Sequence, residues 1–462
     1  MAAVRTPEHG VWRTRWPYLS LLAAAGLVAI ALAWSPAAGA PYQYDDYITP
    51  VKDPASQSLE SFARAVPGSL RPLTKLTYAV ESSLGLRDAP QRRGLNALLF
   101  LASAALVARL ARLSGLRADA ALAVATIWAC HPVHAELAVA LAGRSVLLSL
   151  CLMLGSAVLL LGERAGPALV CAVLAVLARE TAWPWMVVCA GFMARGRGRL
   201  RMVAVVVLSV VLGGLLVSSS RLRELLAFSY HDPSALNRLG LQWAALPRGL
   251  WMWLVQPSAF AVDIDFAPRG WLRFSYLLGA VALYAAAGWL ALRRGASRAE
   301  RVAALLWLCL VVPLHSVVPK LDPLTARGVS ANSAAVVMLL ATALARRRTA
   351  SKGEKIALWS GVGVLLLVLI PLTRERAQLY RDPIALWSDA AARSQHKTRP
   401  LINLGTLLAQ NGRLPEARRA LVEATRRNPR DREAAERLSA VQVLLETKKL
   451  LTPPRHDATI AP

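Results

Sequence analysis

The stretch Pro41 to Pro50, "PYQYDDYITP", sets two adjacent carboxylates, Asp45 and Asp46, among three tyrosines just beyond a long apolar run. Acids are scarce in this chain, 28 Asp and Glu against 54 Lys and Arg, so their placement carries information. A carboxylate can take the proton from an acceptor hydroxyl, and a like-charged neighbour can raise its pKa while itself orienting the acceptor. Three other clusters have side chains suited to holding an anion. "RPLTKLTY" carries Arg71 and Lys75, "CHPVHAELAVALAGRS" carries His131, His134, Glu136 and Arg144, and Arg179 and Glu180 stand together between two apolar runs. Guanidinium groups bind phosphate bidentately. His131, His134 and Glu136 are also zinc-ligand types, but Pro132 interrupts the helical spacing that would align them. Each cluster has a plainer reading: the aspartates as solvated turn residues, Arg71 and Lys75 as side chains snorkelling to headgroups, Arg179 and Glu180 as an ion pair.

The elements that must position these groups are apolar helices. The chain has 462 residues, 55% of them hydrophobic, and a formal charge of +26. Its apolar residues fall in repeated runs of roughly 15–20, long enough to cross a bilayer. The positive charge then belongs to loops on the cytoplasmic side, and a nucleic-acid-binding face is excluded as its origin. All five cysteines sit inside apolar runs, with no disulfide framework and no metal spacing. No phosphate-binding glycine loop is present.

These runs predict an all-α polytopic membrane protein of about 11 transmembrane helices. They fall at about 17–38, 95–112, 119–132, 145–161, 166–178, 183–194, 202–218, 274–292, 302–316, 333–345 and 356–372. The first is read as a retained helix rather than a cleaved signal. The stretch 219–272, with "LPRGLWMWLVQP", is read as an interfacial or half-inserted helix with Trp251 and Trp253 at headgroup level. Under this count the basic short loops lie on the cytoplasmic side of the inner membrane. The Asp45-Asp46 loop and the C-terminal tail lie outside.

From Leu401 the tail reads "LINLGTLLAQNGRLPEARRALVEATRRNPRD". Leu404, Gly405, Leu408, Gly412, Ala417, Leu421, Ala424 and Pro429 have the spacing of a tetratricopeptide repeat. Such a repeat takes a peptide or protein partner.

Read together, these segments resemble one family. "YDDYI", "RPLTKLTY", Asn96-Ala97-Leu98-Leu99, "HPVHAELAVALAGRS", Arg179-Glu180, "WLVQPSAFAVDIDF" (253–266) and "VVPKLDPLTARGVSANS" (317–333) occur in that order. The arrangement resembles the TMTC family of membrane mannosyltransferases and its bacterial relatives, over nearly the whole chain. It departs from the family at Arg93 and Phe100, where histidines are usual, at Val146, at Arg179 in place of lysine, and near Arg327, where a Glu and a Tyr are missing.

The resemblance implies a GT-C-like glycosyltransferase domain over 1–373 and an extracytoplasmic repeat domain over 374–462. It implies a polyprenyl-phosphate sugar as donor and an acceptor hydroxyl on a protein or glycan. Asp45 would be the base of an inverting displacement, with Asp46 beside it. Arg71, Lys75, His131, His134, Glu136, Arg144, Arg179, Glu180 and Arg327 would bind donor phosphate and substrate. No divalent metal or other cofactor is expected, and the other partners are membrane lipids and a repeat-bound peptide or protein. The alternative is a non-catalytic membrane scaffold whose repeat assembles an envelope complex. A transporter would instead show inverted repeats and ionisable residues at the bilayer midplane.

The orientation has a direct test. A reporter active only outside the cytoplasm should give signal when fused after Pro462 or near Asp53, and none when fused after Arg348. The opposite pattern would invert the topology.

Overall fold

The computed structural model describes residues 16–67, 69–194, 234–316, 319–346 and 352–451, with isolated positions between 214 and 230. The expected span at 202–218 lies outside the described residues, as do Arg5, Arg13 and Arg15 before the first span. So do Arg195, Arg197, Arg199 and Arg201, Val317 and Val318, and Arg347 and Arg348. Among the described residues the regular structure is helical, with no strand. The chain forms two compact units, Met1–Phe260 with Pro268–Arg381, and Ala261–Ala267 with Asp382–Pro462.

The first unit begins with α1 (Trp16–Trp34). A segment of tight turns and two short helices, α2 (Leu59–Ala65) and α3 (Pro72–Ser83), follows. Next come α4 (Ala89–Leu113), α5 (Ala118–Ala129), the single-turn α6 (Ala135–Ala138), α7 (Arg144–Leu161), α8 (Ala165–Ala178) and α9 (Trp183–Ala194). The unit ends with α10 (Ala235–Val255), α11 (Gly270–Leu292), α12 (Arg298–Ser316), α13 (Ala326–Ala345) and α14 (Lys352–Leu379). The core helix α7 packs along α8 and α4, α13 packs on α12, and α1 lies against α5 and α14.

By length and composition, 6 helical segments among the described residues suit a membrane crossing: Tyr18–Gly39, Ala89–Leu113, Leu141–Leu161, Gly270–Leu292, Ala326–Ala345 and Ile356–Leu379. The protein is therefore membrane-embedded in character. The helix expected at 119–132 ends earlier than the sequence suggested. At 1.5 Å per residue a 12-residue helix such as α5 covers about 18 Å, against roughly 30 Å of hydrocarbon. The cause is local: α5 stops at Cys130 because His131 and Pro132 start a new turn. α8 ends at Ala178, as expected, where Arg179 adopts an extended backbone. The stretch read as interfacial contains a continuous 21-residue helix, α10, with Pro247 inside it. Trp251 is exposed as expected of a headgroup residue, but Trp253 is buried and packs on His131.

The second unit holds α15 (Pro383–Arg393), α16 (Arg399–Gln410), α17 (Leu414–Arg427) and α18 (Arg432–Leu451). It starts later than the expected boundary because α14 runs on to Leu379. Gly405 lets α16 and α17 approach; a Cβ there would lie 2.6 Å from Leu421 Cγ. Gly412 turns the chain between them at φ +75°, a conformation that costs glycine little. Leu408, Leu414, Ala417, Leu421 and Val441 form one core cluster of this unit.

Ala261–Ala267, read from sequence as part of the membrane domain, belongs structurally to this second unit. The buried Asp263 binds Lys397 Nζ and Arg399 Nε, both at 2.6 Å. Asp265 accepts the amides of Gln395 and His396 at 2.9 and 2.8 Å. Burial pushes the Asp265 carboxyl up, but these amides hold it below its usual range.

Candidate active site

The two aspartates of the opening motif sit on a single 3-10 turn, Tyr44–Tyr47. With three residues per turn, neighbouring side chains point about 120° apart, so the pair separates. Asp45 is 50% exposed and accepts from Arg327 Nη2 at 3.0 Å. Asp46 is fully buried, accepting the Gln43 amide at 2.9 Å and the Ala142 amide at 2.7 Å. Burial raises the Asp46 pKa against the pull of those amides. The raised pKa expected of a repelling pair thus falls on Asp46, and its cause is desolvation. Asp46 pins the turn to the 141–143 segment and presents no free oxygen to an acceptor.

Residues 130–144 form a buried wedge of short turns between α5 and α7. His131 Nδ1 accepts the Val133 amide at 3.1 Å, which leaves the proton on Nε2 to donate to Trp253 O at 2.9 Å. Burial lowers its pKa to about 4, so the ring is neutral. His134 bonds Ser330 Oγ through Nδ1 at 2.6 Å and lies against the Trp128 ring. His134 Nε2 is buried without a hydrogen-bond partner, and among the described residues no group of three His, Cys, Asp or Glu side chains is placed to hold a metal ion. Gly143 is required by close approach, since a Cβ would come within 2.9 Å of Glu136 O.

Arg144 has the environment of a structural hub. Its fully buried guanidinium donates from Nε to Asn96 Oδ1 (2.8 Å), from Nη1 to Glu81 Oε2 (2.7 Å) and Thr77 Oγ1 (3.2 Å), and from Nη2 to Arg92 O (2.6 Å). It also lies 4.0 Å from the Tyr78 ring centroid. It is closed to the phosphate it was expected to bind. Lys75 is engaged too, by Asp53 at 2.8 Å and Ser69 Oγ at 2.6 Å. Arg71 forks onto Glu180 with contacts of 2.9 and 2.7 Å. It does so from a left-handed backbone at φ +61°, a strain that the bidentate pair helps to hold. Burial alone would raise Glu180; the Arg71 guanidinium overrides it and holds the carboxyl at about 2.

Arg327, the second residue of α13, joins these parts. Its Nε meets Glu136 Oε1 at 2.5 Å, its amide meets Glu136 Oε2 at 3.2 Å, and its Nη2 meets Asp45. The same residue lines a cavity of about 230 Å³ with Arg179 and Lys320. Arg179 donates to Ser145 Oγ at 2.9 Å, and burial with the nearby Arg71 lowers its pKa to about 9. Lys320 is lowered to about 7 by burial and by Arg179 and Arg327. The remaining wall is mainly apolar, with Val146, Leu150, Met153 and Leu310, and also carries the hydroxyls of Ser149, Thr181 and Thr325. Three basic side chains thus share a headgroup-sized space with a mainly apolar wall.

The structure therefore brings Asp45, Glu136, Arg327, Arg179, Arg71 and Glu180 into one neighbourhood, and turns Asp46, Arg144, Lys75 and His131 to internal bonds. Lys320 was missed, although it lies in the 317–333 segment. A lone lysine in a short loop resembles a solvated one until the loop is seen folded against Arg179 and Arg327. Replacing Arg144 by Ala would strand the buried Glu81 carboxylate, a loss of about 3–5 kcal/mol. It should appear as lost folded protein and a lower melting temperature in detergent. A stable Arg144→Ala protein that binds donor poorly would reinstate Arg144 as a phosphate ligand. The chain matches no family model, no curated protein and no solved structure, so the reading of the site rests on its residues and their geometry.

Proposed function

We propose that this chain is an integral membrane glycosyltransferase of the GT-C type, akin to the TMTC family, acting on the extracytoplasmic face of the cytoplasmic membrane. It transfers a sugar from a polyprenyl-phosphate donor to an acceptor hydroxyl, such as a protein Ser or Thr. The observation that carries this reading is the cavity lined by Arg179, Lys320 and Arg327 together with apolar side chains, with Arg327 reaching from it to the exposed Asp45. A phosphate bearing a hydrocarbon chain suits both kinds of lining. In this proposal the shorter helices and 202–218 count as crossings, giving about 11 in all. The second unit is a tetratricopeptide-type repeat that receives a peptide or protein.

Asp45 accepts the acceptor hydroxyl proton as that oxygen forms a bond to the anomeric carbon. The bond from that carbon to the phosphate oxygen breaks on the opposite face, with inversion. The electron pair leaves on the phosphate, where Arg179, Lys320 and Arg327 balance the charge. Glu136 holds Arg327 in place, and Glu180 holds Arg71 beside the cavity. No step calls for a divalent ion. The scaffold alternative draws on the number of candidate side chains, Asp46, Lys75, His131 and Arg144, that are committed to internal bonds.

The two readings separate on Asp45. As general base it contributes roughly 100- to 10,000-fold in rate, so Asp45→Asn should nearly abolish transfer from a polyprenyl-phosphate sugar in detergent while melting like wild type. Near-normal transfer by that variant would remove Asp45 as base. Absence of transfer by the wild-type protein, with partner binding retained, would favour the scaffold.

Lys320 adds a pH signature. Its charge is lost as pH rises through about 7, so kcat/KM for the donor should fall on that limb. Lys320→Arg stays charged and should flatten it. An unchanged alkaline limb in Lys320→Arg would show that Lys320 does not face the donor.

A further inference from the structure

A second lipid-facing feature lies apart from the cationic cavity. α1 and α4 flank a groove of about 420 Å³ and meet beside it through the edge-to-face contact of Trp34 and Phe100, ring centroids 5.7 Å apart. Its wall is apolar, from Leu27, Ile30, Trp34, Phe100 and Leu101, and it is widened by small residues at Ala31, Gly94 and Ala97. Both flanking helices suit a membrane crossing, so the groove opens towards hydrocarbon rather than water. Protein interiors do not leave such a space empty, because lining atoms without partners lose their dispersion contacts.

One end of this groove carries a charge. Arg93 lines it, is only 5% exposed, and forms no ion pair among the described residues. Its Nε donates to Val139 O at 3.0 Å, Nη1 to Ala38 O at 3.2 Å and Nη2 to Pro41 O at 3.4 Å. A guanidinium has five N–H donors, so two remain after these three bonds. Asp46 acts on it through space, but both Asp46 oxygens are taken by the Gln43 and Ala142 amides. A buried cation at the end of an apolar trough matches a lipid with an anionic headgroup: the chain fills the trough and the phosphate meets the guanidinium.

We propose that the α1–α4 groove is a binding site for one anionic phospholipid of the surrounding bilayer, with Arg93 as its headgroup ligand. This site does not depend on the transferase reading, and it shares no lining residue with the cavity at Arg179, Lys320 and Arg327. The phospholipid completes the packing between the two helices, and it braces the 138–142 segment that Arg93 and Asp46 both hold. Polyprenyl phosphate belongs to the other site, where Asp45 is within reach.

The test uses full-length protein reconstituted in nanodiscs of phosphatidylglycerol or phosphatidylcholine, then extracted into mild detergent and weighed by native mass spectrometry. One phosphatidylglycerol should stay bound through extraction, and phosphatidylcholine should be lost. Two variants address the site. Gly94→Leu fills the trough where a Cβ meets nothing within 4 Å, so the fold should tolerate it. Arg93→Gln keeps a polar side chain for the carbonyls and removes the charge. Each should lose the bound phosphatidylglycerol while remaining monodisperse. Equal retention of the two lipids, or retention in both variants, would overturn the proposal. So would displacement by polyprenyl phosphate, or a dimer that Gly94→Leu abolishes, since the groove would then serve a donor or a second copy.

Discussion

The guanidinium of Arg327 is the constraint on which the rest of this site depends. It satisfies the buried Glu136, reaches the half-exposed Asp45 and forms part of the cavity wall. Stripping water from a carboxylate and a guanidinium costs several kcal/mol for each ion, so such a pair persists only with close geometry. Here both Glu136 oxygens are used, one by Arg327 Nε and one by its amide. Thr325 caps the start of α13 through the Gly328 amide and fixes where Arg327 stands. Three segments far apart in sequence are tied by one side chain: the turn after α1, the wedge before α7 and the start of α13.

The wedge is rigid for a related reason. Asp46, His131 and Arg144 are polar groups committed to holding short, irregular backbone at the ends of apolar helices, where unpaired amides and carbonyls would be costly. Arg92 serves in the same way, through Pro50 O, Leu86 O and Ser82 Oγ. Many of the chemistry-bearing residue types in this chain are thus part of its scaffolding. The groups that stay accessible, Asp45 on one side of Arg327 and the cavity on the other, stand out because so much around them is closed.

The sequence carried the helical class, the membrane character and the segments that meet at the site, because apolar run length and the placement of rare charges need no tertiary information. It did not reveal which member of each cluster would face outward. Asp45 and Asp46 are equivalent on paper, and only the 3-10 turn separates them. Arg144 and Arg327 look alike as single arginines, and their difference lies in Glu81 and Asn96 beside one and the cavity beside the other. Helix lengths were overestimated at 119–132, where a histidine cap and a proline end the helix inside an apolar run. Ala261–Ala267 joined the second unit through Asp263 and Asp265, a pairing over more than a hundred residues that no local pattern signals.

The central claim is that the Arg179, Lys320 and Arg327 cavity receives the donor phosphate. A structure of the protein in nanodiscs with polyprenyl phosphate bound would test this most directly. The account places the phosphate among those three cations, with the prenyl chain leaving along Leu150, Met153 and Leu310 and Asp45 free beside Arg327. A phosphate seated anywhere else, with this cavity unchanged, would contradict it.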